Sequence, residues 1–183
     1  MPKIAEIEGT PNPNAIKFVL KEPLTYGITR SFDNAQAADS DPLAAALFAI
    51  PHVSNVFYVD HWITVTQDGG AAWPELLKQL AVPIRATPAA NAAGPGETKP
   101  RSVSLAGQDD PRLTKINELI DAQIRPYLMS DGGDLEILEL DGNILKIHYH
   151  GACGSCPSSL AGTLSAVENL VRSIEPEIEL VAV

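Results

Sequence analysis

Residues 131–157 read DGGDLEILELDGNILKIHYHGACGSCP, and this stretch decides the fold of the second half of the chain. The runs Leu135 to Leu140 and Ile144 to His150 flank Asp141-Gly142-Asn143, a sequence suited to a hairpin turn. They are predicted as two antiparallel strands. The second strand has an apolar face of Leu145, Ile147 and Tyr149 and a polar face of Lys146, His148 and His150.

Helices are predicted on both sides of this hairpin. Asp110-Pro111 is a typical helix start, and apolar residues then recur at helical spacing until Pro126. A second helix is predicted from Pro157 to Ile174, and Ile178 to Val183 supplies a last strand. Residues 111–183 are therefore predicted to form an α+β domain with the order α-β-β-α-β.

The first 80 residues show a different pattern. Short strands are predicted over Ile4 to Glu8, Ala15 to Leu20 and Ile28 to Phe32, and a hairpin over Val53 to Val59 and Trp62 to Thr66. Asp41 before Pro42 predicts a capped helix that extends through Phe48 and ends before Pro51, and Trp73 to Leu80 predicts a closing helix. Residues 1–80 are thus predicted to form a first α+β domain.

A change in composition separates the two domains. Residues 81–110 contain seven Ala, four Pro and three Gly, and no aromatic residue. This composition is typical of an inter-domain linker. The predicted fold class is therefore α+β, with two small domains (1–80 and 111–183) joined by an Ala/Pro-rich flexible linker (81–110).

Composition excludes several classes of function. The chain has 183 residues and a net charge of -10, which disfavours nucleic acid and anionic membranes as partners. No apolar run is long enough for a membrane span, and Met1 to Glu8 lacks the features of a signal peptide. The expected location is the bacterial cytoplasm, or an organelle for a mature, processed form.

The chemistry lies in the only two cysteines, Cys153 and Cys156. They form a Cys-x-x-Cys motif between the predicted hairpin and a helix that has Pro157 at its first position and Cys156 at the expected N-cap. The helix dipole favours the thiolate form, and Gly154 lets the loop turn. Spacing and position both suit metal binding.

Several interpretations of this motif remain open on these residues alone. Zinc or an iron-sulfur cluster usually takes about four protein ligands, so two thiolates need further ligands or a second chain. His148 and His150 could complete a zinc site, although a polar strand face explains them as well. Thiol-disulfide exchange is a further alternative, but only one helix and one strand follow Cys156. The fourth interpretation is a pair of ordinary loop cysteines.

The second domain resembles the NifU-like C-terminal domain of Nfu-type iron-sulfur cluster scaffold proteins. The family's run is matched in order by Ile124-Arg-Pro-Tyr-Leu, Asp131-Gly-Gly-Asp134, Gly151-Ala-Cys-x-x-Cys-Pro-Ser-Ser159 and Thr163-Leu164. Where members commonly have Thr-Leu-Lys, this chain has Ser165 after Leu164. The first domain resembles the family's N-terminal module through Thr10-Pro-Asn-Pro-Asn-Ala-Ile-Lys-Phe18, Pro42-Leu-Ala45, Leu47-Phe48-Ala-Ile50, Val56-Phe57 and Ile63-Thr-Val-Thr66.

The resemblance implies a function for the two thiols. Cys153 and Cys156 of two subunits would together bind one cluster, most simply [4Fe-4S] and alternatively [2Fe-2S], near solvent in a homodimer formed through the C-terminal domain. The expected partners are upstream assembly proteins and the apo-proteins that receive the cluster. Such a scaffold or carrier turns over no substrate, so no catalytic residue is expected.

Other candidate residues receive simpler interpretations. Asp131-Gly132-Gly133-Asp134 is predicted as a tight turn in preference to a support for the cluster interface. The first domain has no cysteine, and docking of partners and a purely structural role are both open for it. Trp62 and Trp73 are predicted in its core, and His52 and His61 at its surface or in turns.

Overall fold

The structure is a computed structural model that describes residues 3–88, 110–154 and 157–183, with side chains in the last range from Gly162 onward. The chain divides into two compact units, Met1–Arg101 and Ser102–Val183. Each unit combines helices with one sheet, so the predicted α+β class is confirmed. Among the described helices, none has both the length and the apolar character needed to cross a membrane.

The N-terminal unit is a five-stranded antiparallel sheet with two helices. Its strands are β1 (Ile4–Gly9), β2 (Ala15–Leu20), β3 (Arg30–Phe32), β4 (Val53–Val59) and β5 (Trp62–Gln67), and its helices are α1 (Pro42–Phe48) and α2 (Trp73–Ala86). The strand order is β1-β2-β5-β4-β3. Phe18, Ile63 and Val65 of the sheet join Leu47 of α1 and Leu80 of α2 in one buried core. The predicted β4–β5 hairpin is confirmed, with Val59 paired to Trp62.

Helix α1 begins as predicted at Asp41. The Asp41 carboxylate accepts hydrogen bonds from the backbone N–H groups of Leu43 and Ala44, at 3.1 and 2.9 Å. It also accepts a short hydrogen bond from the Tyr58 hydroxyl of β4. This N-cap therefore also ties α1 to the sheet.

The hydrogen bond between the capping aspartate and its tyrosine partner predicts that this unit loses stability at alkaline pH. Burial, and then the hydrogen bond and charge of Asp41, raise the pKa of Tyr58 far above its usual value. Unfolded tyrosine loses its proton near pH 10, whereas folded Tyr58 keeps it, so the unfolded state binds fewer protons and stability falls as the pH rises above about 10. Tyr58→Phe should flatten this decline in urea unfolding followed from pH 8 to 11. Tyr26→Phe, at an exposed tyrosine, should leave the slope unchanged, and an equal slope in all three proteins would contradict the prediction.

Helix α2 is longer than predicted. It was expected to end at Leu80 but continues to Ala86 with Pro83 inside it. Leu76, Leu80 and Ile84 recur every four residues and are all buried, so burial of this stripe offsets the helical hydrogen bond that Pro83 cannot donate. Residues 81–86 are therefore helical, and the linker prediction for residues 89–109 lies outside the described residues.

The C-terminal unit packs helices on one face of a three-stranded sheet. Its elements in order are α3 (Pro111–Gln123), α4 (Arg125–Ser130), β6 (Gly133–Asp141), β7 (Ile144–Gly151), α5 (Pro157–Ile174) and β8 (Glu179–Ala182). The predicted β6–β7 hairpin is confirmed as antiparallel, and β8 lies parallel to β7 on its other side. The alternation along β7 is confirmed, because Leu145, Ile147 and Tyr149 are buried in the core.

The predicted order α-β-β-α-β omitted α4. Pro126 was interpreted as the end of the first helix, yet it lies in the first turn of a second helix. Ile124 is both the C-cap of α3 and the N-cap of α4, so one helix ends and the next begins at this residue. Proline is tolerated in a first turn because its missing N–H would have no partner within the helix. The observed order is α-α-β-β-α-β.

Candidate metal centre

The cysteine loop is fixed to the turn that precedes β6. Strand β7 ends at Gly151, which is paired with Gly133 of β6 and has a positive φ of 66°. The next residue, Ala152, donates its N–H to the carbonyl of Gly132 at 3.2 Å, and Gly154 donates to the carbonyl of Gly151 at 3.2 Å. Hydrogen bonds thus hold both sides of Cys153.

Cys153 is buried rather than exposed. Its side chain belongs to the core of the C-terminal unit and is 1% exposed, although the site was expected near solvent. Its backbone position follows from the hydrogen bonds of the loop, which place the sulfur between β6 and the interior. Cys156 lies outside the described residues, so its predicted position at the N-cap of α5 stays a prediction.

Two glycines allow this close packing. A Cβ at Gly133 would lie 2.7 Å from Cys153 Sγ and 2.6 Å from the backbone oxygen of His150. A Cβ at Gly154 would lie 2.9 Å from the backbone oxygen of Tyr149. Real Cβ atoms do not approach other atoms this closely, so side chains at both positions would force the loop to move.

Gly133→Ala should therefore displace Cys153. The added methyl group cannot fit without moving the sulfur or the β7 backbone, so we expect lower cluster content after reconstitution and a less stable C-terminal unit, by about 1–3 kcal/mol. Iron content per chain and urea unfolding measure the two effects. Gly162→Ala in α5 is the matched control, because outside its own helix turn no atom lies within 4 Å of its Cβ position. It should leave the iron content unchanged and raise stability by no more than about 1 kcal/mol. Normal cluster content in Gly133→Ala would show that the packing is not needed.

The turn residues 131–134 are both a turn and a support for the cysteine loop. Gly132 has a φ of 80°, which confirms the predicted need for glycine in this turn. The backbone of Gly132 also accepts the loop hydrogen bond from Ala152, and Gly133 contacts Cys153. The turn was favoured over a support for the cluster interface. The turn is confirmed and also contacts the cysteine loop, whereas a role at a cluster interface stays a prediction.

A buried ion pair between α4 and β6 stabilises the same turn. The guanidinium group of Arg125 donates to the Asp134 carboxylate, and both side chains are less than a tenth exposed. Arg125 also donates to the carbonyl of Leu135 at 3.1 Å and to the carboxylate of Asp121 at 2.8 Å. Sequence reasoning missed this contact between α4 and β6, although Arg125 and Asp134 both lie in the segments quoted for the family resemblance.

Tyr149 is the aromatic neighbour of Cys153 in this core. It lies on the interior face of β7 and is 5% exposed. Burial, and secondarily the negative charge of the Cys153 thiolate, raise the pKa of the Tyr149 hydroxyl above its usual range. Tyr149 and Cys153 thus belong to one buried cluster, in which the thiolate charge disfavours ionisation of the hydroxyl.

Among the described residues, the two strand histidines do not form a metal-binding group with Cys153. His148 Nδ1 lies 2.6 Å from the carbonyl oxygen of Val183, and His150 Nε2 lies 3.2 Å from the Glu136 carboxylate. In the described parts of the chain, no group of three or more His, Cys, Asp or Glu side chains is placed to bind a metal ion. The contacts of both histidines are those of a polar strand face.

In the N-terminal unit the aromatic and histidine predictions are met in part. Trp73 is partly buried against the core, and its indole N–H donates to the carbonyl of Pro13 at 3.0 Å. Trp62 is also partly buried, and its ring centroid lies 5.8 Å from that of Phe57. The ammonium group of Lys17 lies over the Trp62 ring. His52 and His61 are exposed, as predicted, and His52 contacts Asp68.

Fold and site together define a class, a two-domain α+β protein with a paired-thiol loop between a strand and a helix. Comparison with known families is more specific. The model of the scaffold protein Nfu/NifU N-terminal domain matches residues 4–90, and that of the NifU-like domain matches residues 116–182. The chain belongs to the Nfu-type, NifU-like family of iron-sulfur cluster scaffold proteins.

Curated relatives match along nearly the whole chain. The protein named "NFU1 iron-sulfur cluster scaffold homolog, mitochondrial" from Drosophila sechellia is 32% identical over 96% of this chain and 63% of its own length. Its counterparts from Drosophila erecta and Drosophila grimshawi are 31% and 32% identical, again over 96% of this chain, with 63% and 60% of their own lengths covered. The chain thus spans less than two thirds of the length of these relatives.

Two solved structures are similar to part of the chain. The crystal structure of protein SAV1430 from Staphylococcus aureus is 25% identical, covers 45% of this chain and 98% of its own, and has a TM-score of 0.40. The solution structure of SeR13 from Staphylococcus epidermidis is 32% identical, covers 46% of this chain and 96% of its own, and has a TM-score of 0.36.

Proposed function

We propose that this protein binds one [4Fe-4S] cluster between Cys153 and Cys156 of two copies and delivers it to apo-proteins. The observation that carries the proposal is a NifU-like domain whose only two cysteines are separated by two residues in the sequence. A cluster with four thiolate ligands then needs two chains. His148 contacts the carbonyl of Val183 and His150 contacts the Glu136 carboxylate, which supports a shared site over a zinc site within one chain.

The charge of the cluster suits the start of α5. A [4Fe-4S] core at +2 with four thiolates carries a net charge of -2. Helix α5 begins at Pro157, directly after the second thiol, and its N-terminus carries a partial positive charge. In a symmetric dimer two such helix ends would offset part of the cluster charge, while the rest of this acidic chain would not.

The burial of Cys153 makes loading a conformational step. With its side chain 1% exposed, iron cannot reach the sulfur until the residues that cover it move. The glycines at 151 and 154 give the loop the freedom for this movement. Release by the reverse movement, with thiolates of a recipient replacing those of Cys153 and Cys156, requires no redox reaction and fits a carrier that converts no substrate.

The partners and compartment follow from this role. The recipients would be apo-proteins with free thiolates, and upstream assembly proteins would supply iron and sulfide or a preformed cluster. The curated relatives are named mitochondrial. For this chain we propose the bacterial cytoplasm, where thiols are kept reduced, or, for a mature form, an organelle.

Anaerobic reconstitution with iron, sulfide and reductant tests the proposal. We expect about four iron and four sulfide per dimer, a [4Fe-4S] Mössbauer signature and a dimeric native mass on the same sample. Two iron per dimer would indicate the [2Fe-2S] form instead. A monomer that retains zinc and no cluster would overturn the shared site, and efficient insulin reduction by the apo-protein would favour thiol-disulfide exchange.

A further inference from the structure

The Tyr149 hydroxyl is a buried donor without a hydrogen-bond partner among the described residues. The contrast with Tyr58 is informative, because the other buried tyrosine hydroxyl donates to the Asp41 carboxylate. Leaving a buried hydroxyl unpaired is unfavourable, and phenylalanine would avoid this cost. A tyrosine at this position is therefore unfavourable for the structure as it stands.

The buried hydrophobic cluster that contains Tyr149 has one other side chain with an atom that can accept a hydrogen bond, the sulfur of Cys153. Tyr149 and Cys153 belong to the same buried cluster, and the thiolate charge of Cys153 acts on the tyrosine. The remaining described members of the cluster are aliphatic side chains, which offer no acceptor atom. A protonated thiol is a weak acceptor, whereas a thiolate accepts hydrogen bonds well.

We propose that Tyr149 is a positioning residue for the cluster, whose hydroxyl donates a hydrogen bond to the sulfur of Cys153 once that sulfur is a metal-bound thiolate. This inference rests on the proposed function. In this structure the hydroxyl makes no hydrogen bond to that sulfur, so the bond forms only when the cysteine loop moves on loading. Hydrogen bonds to ligand sulfurs orient the ligand and raise the reduction potential of the cluster.

Tyr149→Phe should have effects of opposite sign in the two states. In the apo-protein it removes an unpaired buried hydroxyl, so the melting temperature should rise by about 2–6 °C. In the reconstituted protein it removes a hydrogen bond to a charged sulfur, so a chelator should extract the cluster about five- to tenfold faster. The reduction potential of the cluster should also become more negative, an effect that a purely structural role would not produce.

Tyr127→Phe is the matched control, since Tyr127 is 74% exposed in α4 of the same unit and should leave all three measurements unchanged. If wild-type protein holds a cluster and Tyr149→Phe shows the same release rate and potential, the role of Tyr149 is rejected while the scaffold function stands. If wild-type protein holds no cluster under any reconstitution condition, the proposed function fails and this inference fails with it. A lower melting temperature of apo Tyr149→Phe would also contradict it, because the hydroxyl would then have a partner in the apo state.

Discussion

Cys153→Ala should abolish stable cluster binding while leaving the C-terminal unit folded. Removing one thiolate per chain leaves a symmetric dimer with two of the four ligands that the cluster needs. Alanine is the appropriate replacement because the Cys153 side chain lies among apolar residues in the core. We expect iron content near zero after reconstitution and desalting, with an apo-protein destabilised by about 1 kcal/mol.

Serine at the same position separates ligand loss from damage to the core. Cys153→Ser retains the size of the side chain but brings a hydroxyl into an apolar site, so the apo-protein should be less stable than Cys153→Ala, while the cluster is lost in both. Urea unfolding of the apo-proteins and iron analysis of the reconstituted proteins measure the two effects. Stoichiometric cluster in either variant would mean that Cys153 is not a ligand.

Most elements of this fold follow from local signals. The turn Asp141-Gly142-Asn143 between alternating runs predicts the β6–β7 hairpin, and Gly142 adopts the positive φ of 61° that such turns require. The Asp41-Pro42 signature predicts the start of α1 and the carboxylate that caps it. In these segments propensity, spacing and turn chemistry agree, so a single sequence is sufficient.

The errors in the fold share one physical cause. Pro83 was assigned to the linker and Pro126 was interpreted as the end of a helix, yet both lie within helices. Proline in a helix interior removes one donor and its ring clashes with the carbonyl four residues earlier. In α2, burial of Ile84 on the same stripe as Leu80 outweighs this cost. In α4 the proline occupies a first turn, where the lost donor has no partner in the helix. Tertiary packing decides whether a helix can contain a proline, and the sequence alone gives little information about that packing.

For the site, the chemistry could be predicted but not the environment. The spacing of Cys153 and Cys156 indicates a metal ligand pair without any coordinates. The burial of Cys153 depends on contacts with Gly133, which lies twenty positions earlier and meets the loop only through the pairing of β6 with β7. Likewise, the partner of Asp134 is an arginine in a helix that the sequence did not separate from α3. Long-range pairings of this kind are not visible in local patterns.

Asp134→Ala should strongly destabilise the C-terminal unit. It leaves the guanidinium group of Arg125 buried without its buried carboxylate, and breaking such a pair typically costs about 3–5 kcal/mol. Both tryptophans lie in the N-terminal unit, so their fluorescence reports that unit, whereas far-UV circular dichroism reports both. We expect an early urea transition in circular dichroism that is absent from tryptophan fluorescence.

Asp121→Ala is the matched control, because Asp121 is the second carboxylate partner of Arg125 and is exposed. The Asp121 side chain is 42% exposed and that of Asp134 only 6%, although both accept hydrogen bonds from the same guanidinium group. Asp121→Ala should therefore cost less than about 1 kcal/mol, since solvent screens that pair and hydrates what remains. Equal effects of the two substitutions would contradict the argument from burial. A large effect of Asp134→Ala, without one of Asp121→Ala, would show that the buried ion pair supports the turn against which the cysteine loop is packed. Asp134→Ala should then also lower the cluster content.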